Sequence, residues 1–191
     1  MLQRDYRAGQ IVLVEGSASS VLYIVQRGRL KLFKTSMKGR EQVLKLLRPG
    51  DTFNEISVFD EGPNSASARV LEDCQLYLLR RTEIVRLMAE RPNIALAITR
   101  TFAHQLREAL ELVEDLSFRD VTSRVAKILL EAEPDSSEAP ITHELLAAMA
   151  GTRREVVGRA LKALNQEGVI RLARGRIHVV DAKALERLVW A

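Results

Sequence analysis

Residues 142–164 read THELLAAMAGTRREVVGRALKAL, and the rest of the chain is organised around this stretch. Thr142 can cap a helix whose apolar residues Leu145, Leu146 and Met149 recur at spacings of one, three and four. Beside them the small Ala147, Ala148 and Ala150 let a second helix approach closely. Gly151 stands just past the last periodic residue, where a left-handed conformation closes a helix and turns the chain. A second helix follows at once: Thr152, Arg153, Arg154 and Glu155 fit a capping box in which the threonine and the glutamate satisfy each other's open amides. Its buried stripe is Val157, Ala160, Leu161 and Leu164, which leaves Arg154, Glu155, Gly158, Arg159 and Lys162 on the opposite face. Two short helices, a tight turn and a basic outward face form the pattern of a helix-turn-helix that enters a DNA groove.

Each outward residue also has a plainer reading. Glu155 can serve only as the capping-box partner, and Arg159 and Lys162 can be a solvated face. Local charge weighs against that: residues 151–180 hold seven Lys or Arg against two acids, while the whole chain carries a net charge of only +4. Neutralising phosphates needs such a concentration. Thr152 and Arg153, at the start of the second helix, join the candidate DNA contacts.

The 191 residues suit one large or two small domains, with 47% hydrophobic residues to fill a core and 28% charged residues to keep it soluble. One cysteine excludes an intrachain disulfide framework and a cysteine-ligated cluster or zinc site, and His104, His143 and His178 offer no ligand set. No metal or cofactor is expected, and Cys74 reads as a small core hydrophobe, with a redox-sensing thiol as the alternative. With neither a leader-like start nor an apolar run approaching 18 residues, the cytoplasm is the expected location and no membrane partner is indicated.

Residues 1 to about 80 read as strands punctuated by turns. The segments 11–14, 21–25, 30–33, 43–47 and 74–79 are short and rich in β-branched, aromatic and leucine residues. Gly28, Gly39, Gly50 and Gly62 mark joints at intervals of 11, 11 and 12 residues, as in an antiparallel barrel or jelly roll. A barrel enzyme is a conceivable alternative, but no histidine precedes residue 104, and neither a Ser-His-Asp set nor a phosphate-cradling glycine loop is evident. The chain is not expected to be an enzyme.

Beyond Arg81 the period becomes helical. Residues 82–90 form one short helix before Pro92, and residues 93 to about 116 form a long one without glycine or proline. Phe102, Leu106, Ala109, Val113 and Leu116 step by four, three, four and three, a coiled-coil seam suited to a second copy of the chain. Ile94, Ile98 and Leu112 form a second line that can pack on the strands, although both lines can also be buried within one chain. A two-fold dimer would read two half-sites about 34 Å apart. Ser117 to Asp120 offer a cap for a helix over 121–133, so a hinge falls between Leu116 and Phe118. The polar loop 134–140 follows, and after the helix-turn-helix, residues 168–180 form a hairpin whose tip carries Arg174 and Arg176, placed for phosphates. A small helix over 181–190 closes the chain.

Taken together, GDTFNEISVFDEG (50–62), LSFRDVTSRVAKILLE (116–131) and GTRREVVGRALKALNQEGVI (151–170) resemble the cyclic-AMP receptor protein/FNR family of bacterial transcription regulators over almost the whole chain. The resemblance implies an α+β architecture: a jelly-roll β-barrel sensor of the cyclic-nucleotide-binding type (1–91), a dimerisation helix and hinge (92–117), and a winged helix-turn-helix (118–191). It also implies a homodimer that binds palindromic double-stranded DNA, contacts RNA polymerase and holds an effector inside each barrel. Arg154, Glu155 and Arg159 match the family's Arg-Glu-x-x-x-Arg pattern for a TGTGA-type half-site.

Two departures bear on the effector. Asn54-Glu55 stands where cyclic-AMP-binding members carry Gly-Glu for the ribose, and Ser65-Ala66 where they carry Arg-Ser for the phosphate. Ala109 and Leu110 likewise replace polar residues that face the nucleotide. A cyclic phosphate without a charge partner is costly to bury, so tight cyclic-AMP binding is not expected. The haem and iron-sulfur branches lack their ligands here. Glu55, Ser65, Ser67 and Arg69 are the polar groups placed for an unidentified effector, or else ordinary turn and strand residues. A sensing module that does not touch DNA is the remaining alternative, and it would leave the arginine face without a role.

Overall fold

Alternating apolar residues carry the first eighty positions into antiparallel strands. The structure, a computed structural model, describes residues 1–132, 141–173 and 176–189. Its elements begin with β1 (Leu2–Tyr6), β2 (Ile11–Leu13), β3 (Val21–Thr35), β4 (Glu41–Leu47) and β5 (Thr52–Phe53), followed by α1 (Glu55–Asp60) and β6 (Ser67–Arg80). Strand order is β1-β6-β3-β4, with β2 beside β6 and β5 beside β3. The chain divides into two compact units, residues 1–34 with 44–109 and residues 35–43 with 110–191.

In the first unit Leu30 and Leu32 lie opposite Val70 and Ala68. They build one core with Leu13, Val25, Leu47, Phe53 and Leu76, in which Tyr23 stacks on Phe53 at 4.9 Å. Gly28 is not a joint between two strands, as its spacing suggested: β3 runs through it. Its φ of 87° accompanies a register shift, and a Cβ there would lie 2.3 Å from the Asp73 carbonyl oxygen. Glycine serves that close crossing and not a chain reversal. Three elements carry no clear signal in the sequence. β1 is polar and mostly exposed along one edge of β6, β5 has two residues, and α1 opens at Asn54 in a left-handed conformation (φ 72°) that asparagine tolerates.

Two helices follow, α2 (Arg81–Glu90) and α3 (Pro92–Phe118). Ile84 of α2 is buried with Leu22 and Val58, and Ile98 of α3 packs against that cluster. α3 is 27 residues long and continues two residues past Leu116, so no break precedes Phe118. The cap of the next helix is Asp120 alone, whose carboxylate accepts from the Ser123 amide at 2.7 Å. α3 contains no buried residue.

The second unit holds α4 (Val121–Glu131), α5 (His143–Met149), α6 (Arg154–Gln166), β7 (Ile170–Ala173), β8 (Arg176–Val179) and α7 (Ala182–Val189). The expected loop at 134–140, Arg174 and Trp190 lie outside the described residues. Its core joins Val125 and Leu129, Leu146 and Ala150, the full α6 stripe of Val157, Ala160, Leu161 and Leu164, then Ile170 and Leu185. Among the described residues no helix is long and apolar enough to cross a membrane.

Candidate nucleic-acid interface

Thr142 caps α5 as its sequence position indicates, with Oγ1 accepting from the Leu145 amide at 3.1 Å. Ala150 ends the helix and Gly151 turns the chain at φ 64°. The Thr152 amide then donates back to the Ala147 carbonyl at 3.0 Å, closing α5 in the Schellman manner. That bond corrects the capping-box expectation. Thr152 closes the first helix, the cap of α6 is Arg153, and no side-chain cap bond forms there. Glu155 therefore sits in the first turn of α6 without the reciprocal partner that its spacing from Thr152 implied. An acidic group suits that position, where the helix dipole favours negative charge.

α6 buries its stripe and exposes Arg153, Arg154, Glu155, Arg159 and Lys162. Gly158 is half-buried and has nothing within 4 Å of where a Cβ would stand, so the helix surface is open at that point. Arg176 lies exposed at the start of β8, in register with Ala173. Chemically this is a rigid rod presenting bidentate donors and one carboxylate acceptor, with further cations on the hairpin.

The polar groups singled out in the barrel are mostly engaged. Glu55 is buried, and its carboxylate accepts from the Thr52 hydroxyl. Ser67 Oγ accepts from the Glu15 amide at 3.0 Å, and the Arg69 guanidinium stands 4.8 Å from the Phe33 ring centre. Ser65 is half-buried and Ala66 buried. Asn54 donates to the Val21 carbonyl at 3.0 Å. Asn64 carries no sequence signal, yet it is buried and donates to the Val14 carbonyl at 3.0 Å, while its Oδ1 has no partner. Cys74 is buried, and burial, with help from Asp73 and Asp5, pushes its thiol up to about 11. So high a value keeps it a thiol, in keeping with a core role.

Along the α3 seam, Leu106 and Val113 are 63% and 60% exposed and Leu116 is 41% exposed. Ala109 is also exposed. Phe102 differs, its ring meeting that of Phe59 edge to face with 5.7 Å between centroids.

Comparison with known proteins places this geometry. A model described as a cyclic nucleotide-binding domain matches residues 3–91, and one described as a Crp-like helix-turn-helix domain matches residues 123–188. The cyclic AMP receptor protein of Thermus thermophilus is 39% identical over 190 residues, covering 98% of this chain and 88% of its own. The chain belongs to the CRP/FNR family of transcription regulators. A second relative, the CRP-like cAMP-activated global transcriptional regulator of Mycobacterium tuberculosis, is 32% identical over 96% of this regulator and 86% of its own length. The crystal structure of a CRP/FNR-family transcriptional regulator from Thermus thermophilus superposes with a TM-score of 0.83 at 26% identity, covering 100% of this chain and 99% of that one. The regulator thus combines a cyclic nucleotide-binding-type domain with a DNA-binding helix-turn-helix; its relatives are regulators and not enzymes.

Proposed function

We propose that the regulator acts as a cytoplasmic homodimer that reads a TGTGA-like palindrome without needing cyclic AMP. Its parts are a barrel sensor (1–91), a dimerisation helix that runs unbroken to Phe118, and a winged helix-turn-helix beyond it. One observation carries the DNA reading: α6 buries Val157, Ala160, Leu161 and Leu164 in the core and leaves Arg154, Glu155, Arg159 and Lys162 exposed together. Arg154 and Arg159 suit guanine O6 and N7, Glu155 suits a cytosine amino group, and Gly158 lets the backbone approach. Thr152, Arg153, Lys162, Arg174 and Arg176 supply phosphate contacts. The dimer interface is Phe102, Leu106, Ala109, Val113 and Leu116, and RNA polymerase is the partner that family membership suggests. Independence from cyclic AMP rests on the neutral Ser65 and Ala66 and on the internal engagement of Glu55 and Ser67. Glu55, Ser65, Ser67 and Arg69 remain the groups that would meet another effector. A second reading, gating by cyclic AMP, is favoured by the names of the two relatives just described.

Fluorescence anisotropy of a labelled TGTGA-type palindrome against a scrambled duplex, with and without cyclic AMP, separates the two. Tight specific binding without nucleotide is expected, and a requirement for cyclic AMP would establish the second reading. Arg154→Ala should cost roughly 1–3 kcal/mol and relax one base position. An equal loss on all sequences would show that Arg154 reads no base.

A further inference from the structure

An α-helix ends on carbonyls that its own ladder cannot satisfy. In α5 the Ala147 carbonyl takes the Thr152 amide and the Leu146 carbonyl takes the Ala150 amide. The Ala150 carbonyl accepts instead from outside the motif: Arg124 Nε donates to it at 2.8 Å. The same guanidinium turns Nη1 to the Arg119 carbonyl at 2.5 Å and, more weakly, to the Asp115 carbonyl at 3.4 Å. One side chain of α4 thereby ties the last turn of α3 and the junction before α4 to the turn that launches α6. A planar fork of fixed donors suits three carbonyls in different directions, and a lysine ammonium on a flexible stem does not.

The anchor under this clamp is itself braced. Asp115 receives Arg119 Nε at 2.7 Å and Lys127 Nζ at 2.6 Å, with the three side chains 15%, 13% and 20% exposed. Arg119 Nη1 also donates to the Val189 carbonyl of α7. The turn is gripped on either side of Ala150 as well. Gln42 Nε2 donates to the Met149 carbonyl at 3.3 Å, and a Cβ on Gly151 would come within 2.7 Å of Leu116 Cδ2.

We propose that Arg124 is a positioning residue for DNA reading, one that sets the direction in which α6 presents Arg154, Glu155 and Arg159. This rests on the reading of α6 as the base-reading helix. Bidentate base contacts depend on placement within a fraction of an ångström, whereas phosphate contacts fix affinity without sequence information. Loosening the clamp therefore erodes discrimination and spares the salt dependence of binding.

The test compares the full-length regulator with Arg124→Gln, Arg124→Lys and Arg154→Ala on the TGTGA-type and scrambled duplexes at several salt concentrations. Hydrogen exchange is followed at amides 150–156. Arg124→Gln is expected to lower the specific-to-scrambled ratio about tenfold with an unchanged salt slope, and to speed exchange at those amides. Arg124→Lys should fall between, and it carries the comparison if the glutamine variant fails to fold. Unchanged discrimination and unchanged exchange would overturn the proposal. So would equal losses on both duplexes with a lowered Tm, the mark of a merely structural role. If the wild type itself fails to discriminate and Arg154→Ala behaves alike, the base-reading assignment falls. Faster exchange would then leave Arg124 a grip on the turn with no role in reading DNA.

Discussion

Thr142 and Thr152 show how far a single residue can be read. Both precede an apolar stripe and both look like caps, yet only Thr142 uses its hydroxyl on the helix that follows. Thr152 gives its amide to Ala147 because Gly151 makes the Schellman closure available, and α6 is capped one residue later, at Arg153. Gly28 carries a sharper consequence. A methyl group there meets backbone, the Asp73 carbonyl and the Cys74 Cα, and neither can swing away. Gly28→Ala is expected to destabilise the regulator by at least about 2 kcal/mol, beyond the roughly 1 kcal/mol that a positive φ alone costs an alanine. Gly39→Ala is the control, since its φ of 75° is comparable and nothing lies within 4 Å. Urea denaturation of the two variants side by side checks the difference, and equal losses would refute the steric argument.

The elements were legible in proportion to how strongly local chemistry marks them. The α6 stripe was readable in full, because residues three and four apart share a helix face whatever surrounds them. Arg124 left a trace too: it shares a face with Val121 and Ile128, at the spacings of an apolar stripe. α4 also supplies a pH test through its cap. The Ser123 amide, the largest influence on Asp120, favours the carboxylate and holds its pKa below the usual range. A group lowered in this way stabilises the fold above its unfolded pKa of about 3.9, and that contribution disappears as the pH falls through the folded value. Asp120→Ala is expected to cost about 1 kcal/mol at neutral pH. The gap from wild type should narrow below about pH 4, as chemical denaturation at pH 7 and pH 3 would show. A gap of constant size would mean the carboxylate is not the stabilising form.

At the scale of the whole molecule, α3 is the element that one chain leaves unfinished. A 27-residue helix with no buried residue, yet with Leu106, Leu110 and Val113 each about 60% exposed, presents more apolar surface than a solitary helix face retains in water. Val113→Glu is expected to yield monomers in sedimentation and to weaken binding to the palindrome at least about tenfold, because one reading head engages only one half-site. A stable dimer from that variant would move the interface elsewhere. Legible along the chain were the succession of a strand-rich domain, a long helix and a winged reading motif, the buried α6 stripe and the capping at Thr142. Periodicity, glycine and side-chain caps act within about four residues of where they stand. Three features were fixed by packing alone: β3 runs through Gly28, Glu55 is buried against Thr52, and Arg124 holds the Ala150 carbonyl. These depend on which distant backbone groups come within a few ångströms of one another, and hydrogen-bond satisfaction at a crowded crossing is settled by packing, with no local pattern to announce it.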